Sequence, residues 1–325
     1  MMTPFHIAVI GAGIAGLSCA TALQHAGFQV SVFDKSRGPG GRMSTRVGAG
    51  WQCDHGAQYF TASDASFRAE VRRWEAAGAA AQWDPELHQF DRDGSSRCAP
   101  EQRFVGTPRM TGPAKLLASA LTLRTGTVIS ALRRETLGWR LQAQGDGWLE
   151  AHFDAVVLAL PAPQAAPLLR PVAPRAAELA DAVSMAGCWA MLLQYDMPQQ
   201  LGFDAAFVNH GPLRWVARDS AKPGREGAES WLLHASAQWS EAHIDLDSGQ
   251  VGALLLPAFA ALGGAPPQHS SVHRWRYAST VQACSEAFVW DGVQGLGMCG
   301  DWLNGGTVEA AWVSGRRLAS RIAAS

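Results

Sequence analysis

Lysine is nearly absent from this chain of 325 residues: Lys35, Lys115 and Lys222 stand among 27 basic residues, and all the others are arginine. Tyrosine is equally scarce, with 3 against 13 tryptophans, and codon usage accounts for such skews as readily as function does. Charge of one sign is also lacking. The net charge of −1 argues against nucleic acid or an anionic membrane surface as the main partner. The six cysteines (Cys19, Cys53, Cys98, Cys188, Cys284, Cys299) form no CxxC pair, so buried free thiols are a simpler reading than zinc or dithiol chemistry. The longest apolar stretch, residues 251–265, is broken by Pro257 and falls short of the roughly 18 residues of a membrane helix. GxSxG and HExxH are missing, which removes the usual hydrolase signatures. His269 and His273 have a ligand-like spacing but fall near a strand with no third ligand, so no metal is expected. No basic segment leads into an apolar one at the start, so the expected compartment is the cytoplasm. At 47% hydrophobic and 17% charged residues the chain is too apolar for disorder, and its length suggests about two domains.

The strongest signal comes first in the chain. His6-Ile7-Ala8-Val9-Ile10 is a short apolar run, followed by Gly11-Ala12-Gly13-Ile14-Ala15-Gly16, a helical stretch to Ala26 and a second apolar run ending at Asp34. A GxGxxG turn inside a βαβ unit, with an acid about 20 residues further on, is a dinucleotide fingerprint. Gly11 permits the tight turn, Gly13 lets the backbone approach a pyrophosphate, and Gly16 lets helix and strand pack closely. The N–H groups at the helix start, at Ile14 and Ala15, then face phosphate charge. Asp34, followed by Lys35, is placed to accept from the hydroxyls of an adenosine ribose. Taken alone it reads as a solvated acid at a strand end.

A second glycine-rich loop follows, Lys35-Ser36-Arg37-Gly38-Pro39-Gly40-Gly41-Arg42-Met43-Ser44-Thr45. A simple nicotinamide dehydrogenase has no need of it. A larger dinucleotide that bends back under the sheet would use Gly40 and Gly41 for backbone approach and Arg42 for phosphate charge, whereas a mobile surface loop is the plainer alternative. Asp54-His55-Gly56-Ala57-Gln58-Tyr59-Phe60 then joins small and aromatic residues in a turn-then-strand pattern.

Residues 64–81 read as an amphipathic helix with Phe67, Val71 and Trp74 on one face, residues 83–104 as polar turns, and residues 115–123 as helical again. Residues 139–153 look like a hairpin about Gly145-Asp146-Gly147, and residues 155–160 like a buried parallel strand. From residue 162 to about 290 the pattern changes to strands near 188–195, 213–217, 231–235 and 271–278, with a helix at 248–262, as in an antiparallel sheet. The end returns to the first pattern: a strand into Gly300, an Asp301 turn, and a helix from Thr307.

Together these three segments resemble the flavin-containing amine oxidase superfamily and, within it, the bacterial renalase family. The resemblance rests on Gly11 to Gly16, Gly40 to Thr45 and Gly300 to Ala311. It implies an α/β plus α+β fold: a three-layer Rossmann-type FAD-binding domain and an antiparallel-sheet substrate domain, as in amine oxidases and p-hydroxybenzoate hydroxylase. The implied division gives residues 1–62, 105–162 and 291–325 to noncovalent FAD, and 63–104 and 163–290 to the substrate. Asp301 would bond the flavin's ribityl or phosphate region, and the N–H groups around Thr307 and Val308 would face its pyrimidine edge, where a helix start favours negative charge. Ala57, Gln58 and Tyr59 complete the implied cofactor site, with Val128 against the adenine. Cys299 is the nearest thiol to the expected flavin.

The renalase likeness, carried by residues 215–225 and 273–278, implies oxidation of dihydropyridine isomers of NAD(P)H, with dioxygen reduced to hydrogen peroxide. Trp275 and Tyr277 then offer flat faces to a nicotinamide, with His234 as a further candidate or a satisfied core residue. Strict alternation puts Trp275 and Tyr277 on one face and Arg274 and Arg276 on the other, unless a bulge intervenes. Many amine oxidases hold a water with a strand lysine. Here no lysine follows Lys222, and Lys222 lies in a Pro/Gly-flanked loop, a poor place for a rigid group. Typical renalases imply a basic residue near Thr307, which this chain lacks. Other expectations left open are an amine, a porphyrinogen or a polyunsaturated lipid-like substrate, and a non-catalytic FAD-binding sensor.

Overall fold

The computed structural model describes residues 5–282, 284 and 286–325. The opening strand His6–Ile10 pairs in parallel with Gln29–Phe33 on one side and Ala155–Leu158 on the other. Its side chains alternate between two cores: Ile7 and Val9 join one cluster, Ala8 and Ile10 the other. That two-sided burial is why the strand reads as an unbroken apolar run. Thr122–Arg124 and Leu296–Met298 extend the sheet in parallel, and Val289–Asp291 closes it antiparallel, giving six strands.

One face is covered by the helices Ile14–His25 and Val308–Ala323. They approach closely because Gly315 carries no Cβ; one there would stand 2.1 Å from the Ala15 carbonyl oxygen. The other face is covered by the three-stranded sheet Ile129–Glu135, Gly138–Ala143 and Gly147–Trp148, with the helices Ala162–Leu169 and Pro174–Asp181. These are the three layers the sequence implies.

A second sheet has seven strands in the order His269–Thr280, Met185–Tyr195, Glu229–Ala235, Leu213–Arg218, Ala205–Val208, Leu87–Asp91, Gly94–Arg97. It is antiparallel except where Ala205–Val208 runs parallel to Leu87–Asp91, so the sheet is mixed rather than purely antiparallel. The helix Ser248–Ala260 packs on one face through Val251, Leu255 and Phe259. The opposite face looks toward the nucleotide-type sheet across a cleft.

Two expected helices are shorter than their patterns. The first runs only Ala65–Ala76, capped by the Asp64 carboxylate, because Gly78 turns the chain at a positive φ of 68° into the strand Ala80–Trp83. Its apolar face is as expected, with Phe67 packing against Trp312. The second, Gly112–Ala118, gives way to the strand Thr122–Arg124. The polar stretch after Trp83 is not all turn: it holds the hairpin Leu87–Asp91 and Gly94–Arg97. Among the described residues no helix is long and apolar enough to cross a membrane.

Candidate functional site

Between the two sheets lies a cleft of about 1410 Å³, more than one drug-sized ligand needs and enough for a large cofactor with a substrate beside it. The three glycine-bearing segments, scattered over 300 residues of sequence, converge on it. Gly11 sits at φ +110°, with space for no Cβ, since one would be 2.4 Å from the Ala159 oxygen; one at Gly16 would be 2.0 Å from the Gly11 oxygen. Gly13 differs: a Cβ there meets nothing within 4 Å, because it faces the open cleft. Gly16 does not line the cleft, consistent with its expected part in seating helix on strand.

The second loop docks directly on the first. The Gly40 N–H donates to the Ala12 carbonyl at 2.9 Å, Gly40 bridges Gly13, and Gly41 lies so near that a Cβ would be 3.3 Å from the Gly13 Cα. Asp34 accepts from the Ala12 N–H at 2.6 Å and the Ser36 N–H at 2.7 Å, so its carboxylate is fixed at the cleft wall beside Lys35. The Thr127 N–H donates to the Asp34 carbonyl, which brings Val128 to the same end.

Arg42 is the hub. Its guanidinium is paired with both oxygens of Asp301 and also donates to the Ala278 carbonyl at 3.1 Å. Its own carbonyl accepts from the Ala57 N–H at 2.8 Å, an approach that requires Gly56, since a Cβ there would be 1.9 Å away. Gly300, Asp301, Thr307 and Val308 complete this wall, Thr307 capping the long helix by accepting from the Ala310 N–H. Every sequence-predicted cofactor residue except Gly16 therefore faces one cavity.

Trp275, Tyr277 and His234 face it too. The indole N–H of Trp275 donates to the His55 carbonyl at 2.8 Å, and its ring stacks on the His55 imidazole at 5.2 Å between centroids. His234 Nε2 lies 3.1 Å from that same carbonyl oxygen, which fixes the proton there. Burial, with the neighbouring His273, brings His55 down to about 3; burial likewise brings His234 down to about 4, so both rings are neutral near neutral pH. Of the 13 tryptophans, Trp215 and Trp275 line the cleft, whereas Trp74, Trp139, Trp231 and Trp302 are core.

Strict alternation fails on the strand His269–Thr280. Ser279 faces Ala186 and Trp275 faces Cys188, so Arg276, Tyr277 and Ala278 all stand opposite Gly187. This bulge brings Arg276 and Tyr277 to the cleft beside Trp275, whereas Arg274, paired in register with Trp189, turns its guanidinium to the Ile244 carbonyl and the Trp189 ring. The cysteine at the cleft is Cys188, not Cys299, which is buried outside it.

Lys222 is not loosely held. Its ammonium is fully buried, 2.7 Å from Asp219, 3.2 Å from Asp54 and 3.1 Å from the Gln58 side-chain oxygen, with Arg225 completing the group. Flanking glycine and proline do not loosen a residue whose charge is pinned by two carboxylates. Lys222 nevertheless lies outside the cleft, which contains Lys35 as its one lysine among the described residues. The sequence could not reveal this quartet, because Asp54 lies more than 160 positions from its partners. His55, inside the Asp54 to Phe60 segment, and His273, whose sequence spacing suggests only a pairing with His269, meet at Trp275, and neither pattern shows that.

Sequence profiles match the chain in two overlapping parts: an NAD(P)-binding Rossmann-like domain over residues 9–74, and the flavin-containing amine oxidoreductase family over residues 71–323. Among curated proteins, the chain is 32% identical over 213 residues to the tRNA 5-methylaminomethyl-2-thiouridine biosynthesis bifunctional protein of Magnetococcus marinus, covering 51% of this chain and 31% of that one. It is 38% identical over 92 residues to the zeta-carotene-forming phytoene desaturase of Myxococcus xanthus, covering 27% and 18%. The matches thus span a third or less of these relatives. Among solved structures, a putative protoporphyrinogen oxidase from Exiguobacterium sp. 255-15 superposes with a TM-score of 0.80 over 100% of both chains, at 13% identity. The open face at Gly13, the crowded Gly11 and Gly16 and the paired Arg42 and Asp301 are the features a bent flavin dinucleotide needs. With the family profile covering well over half of its length, the chain belongs to the flavin-containing amine oxidoreductase family.

Proposed function

We propose that this enzyme oxidises dihydropyridine isomers of NAD(P)H and passes the electrons to dioxygen. The observation that carries this reading is the charge of the substrate end of the cleft. The cleft carboxylates are Asp34 and Asp301, both within cofactor motifs, whereas Arg214 and Arg276 line the wall built by the second sheet. A protonated amine finds no carboxylate there, and a phosphate-bearing nucleotide finds two guanidinium groups.

Bound FAD supplies a two-electron acceptor whose reduced form dioxygen reoxidises, giving hydrogen peroxide. The protein's part is to bind and orient. Trp275, braced by its stack on His55 and its bond to the His55 carbonyl, is a rigid flat wall for a nicotinamide ring, and Tyr277 lies beyond it on the same bulge. His234 and His55, uncharged, supply no proton to this wall and serve to hold it. The start of the helix Val308–Ala323 directs positive partial charge into the cofactor end. The same reading gives residues 1–62, 105–162 and 291–325 to the cofactor, and 63–104 and 163–290 to the substrate.

The test is anaerobic mixing of the holoenzyme with dihydropyridine isomers, ordinary NADH and primary amines while flavin absorbance is followed. Rapid bleaching by the isomers, with slow bleaching by the others, is the expected result. Fast bleaching by amines alone would overturn the proposal in favour of amine oxidation.

A further inference from the structure

Two strands of the seven-stranded sheet are irregular where they reach the cleft, and each irregularity delivers an arginine. On Leu213–Arg218, Leu213 faces Ala235 and Trp215 faces His234, so Arg214 is an extra residue with no cross-strand partner. On His269–Thr280, Arg276 belongs to the three residues set against Gly187. A bulge frees a residue from the ladder and re-aims its side chain, and both arginines line the cleft. The second bulge is not slack: its Ala278 carbonyl, released from the ladder, is taken by Arg42.

Among the described residues neither guanidinium has a carboxylate or a hydrogen-bond partner, in contrast to Arg42 and Arg218, which are paired. Arg274, on the same strand as Arg276, is committed elsewhere: it donates to the Ile244 carbonyl at 2.6 Å and lies over the Trp189 ring. The intervening strands contribute Gly187, Cys188, His234 and Ala235 to the cleft, none with a negative charge at neutral pH. Glu241 accepts from the Gly187 N–H opposite this bulge yet forms no ion pair with Arg276, so both arginines are exposed, unpaired charges on one wall, an arrangement that an anionic ligand completes.

Their separation limits that ligand. The strands bearing Arg214 and Arg276 are three spacings apart in the sheet, about 14 Å between backbones at roughly 4.8 Å per spacing. A lone carboxylate touching both is too small unless both side chains fully converge, whereas a diphosphate or two separated phosphates fit the span. We propose that Arg214 and Arg276 are two anion-binding posts for the substrate, and that the substrate is a nucleotide carrying at least two phosphate charges. The proposal rests on the function proposed above and specifies which groups of this chain recognise the non-reacting part of that substrate.

The test uses the FAD-loaded full chain and the variants Arg214→Gln, Arg276→Gln and the double variant, with Arg214→Lys and Arg276→Lys as charge-keeping controls. Binding of NAD⁺, nicotinamide riboside and inorganic pyrophosphate is titrated by flavin absorbance, and KM and kcat are measured with dihydropyridine isomers. Each glutamine variant should weaken NAD⁺ binding and raise KM about 10- to 100-fold, the loss of a charge-assisted contact, while kcat and nicotinamide riboside binding hold. The lysine variants should recover part of the loss, and added salt should weaken the wild type more than the double variant. Variants that keep wild-type KM and NAD⁺ affinity would overturn the posts while leaving dihydropyridine oxidation intact. Equal loss of NAD⁺ and nicotinamide riboside would also overturn them, by pointing to pocket shape. If pyrophosphate binds in an arginine-dependent way but no nicotinamide compound binds or reacts, the anion posts stand and the nicotinamide reading falls.

Discussion

Replacing Lys222 by methionine removes one positive charge from a group of four buried ions and keeps nearly the same length of side chain. In the native protein two carboxylates, Asp54 and Asp219, are balanced by Lys222 and Arg225, with side-chain exposures of 0–1%. The Lys222→Met protein would hold two carboxylates against Arg225 alone, and stranding a buried charge in this way costs about 3–5 kcal/mol. At roughly 2 cal/mol/K of unfolding entropy per residue, 325 residues convert that into a fall in Tm of about 4–7 °C.

The loss should depend on pH in a definite direction. Burial, together with Asp54, raises Asp219 to about 6, whereas Asp54, which burial alone would raise, is held down at about 2 by Lys222 and Arg225. A carboxyl whose folded value lies above its unfolded one favours the folded state at low pH and loses that contribution as pH rises through the folded value. For Asp219 this window runs from 3.8 to about 6 in the native protein and extends upward once Lys222 is gone. The Tm gap between native and variant should therefore be small near about pH 5 and full near about pH 8. Asp219→Asn in the Lys222→Met background restores balance and should recover most of the loss, a coupling that a double-mutant cycle measures. Thermal unfolding by near-UV circular dichroism at both pH values is the assay. A Lys222→Met protein as stable as the native one at the higher pH, or no recovery in the double variant, would refute the reasoning.

Two further outcomes follow from the cleft. Gly13→Ala should leave the apoprotein's Tm unchanged, because its Cβ meets no protein atom, yet lower FAD retention in gel filtration; Gly16→Ala, with a Cβ 2.0 Å from the Gly11 oxygen, should lower both. Equal behaviour of the two variants would contradict the division between phosphate-facing and packing glycines. His234, brought down by burial to about 4 from 6.5, takes up a proton on unfolding between those values, so stability rises with pH across that window and is flat above it. The full penalty below the folded value is about 3 kcal/mol, and His234→Asn should make the rise of Tm between about pH 4 and about pH 6.5 shallower, with His55, brought down to about 3, keeping its own part of the slope.

What the sequence made legible and what it hid divide along a physical line. The cofactor motifs could be read because each is local: Gly11, Gly13 and Gly16 are needed by one turn, Gly40 and Gly41 by one loop, and the spacing to Asp34 by one βαβ unit. The apolar runs of the inner strands were equally plain, because both faces of His6–Ile10 are buried. The helix Ala65–Ala76 ends before its pattern does, because periodicity continues past Gly78, where backbone conformation and not hydrophobic pattern ends the helix. The substrate wall was hidden for a related reason. Alternation along His269–Thr280 assigns Trp275 and Arg276 to opposite faces, and only the pairing with Gly187, ninety residues away, produces the bulge that reverses this. Lys222 shows the same limit for charge. It lies outside the cleft, and its flanking glycine and proline, which read as a loose loop, enclose a side chain held by two carboxylates. Rigidity at this position comes from Asp54 and Gln58, which flank the cleft-lining turn and accept from the Lys222 ammonium. The rarest residue type in the basic set therefore acts from behind the site, fixing the His55 to Gln58 turn against which Trp275 and Arg42 are braced.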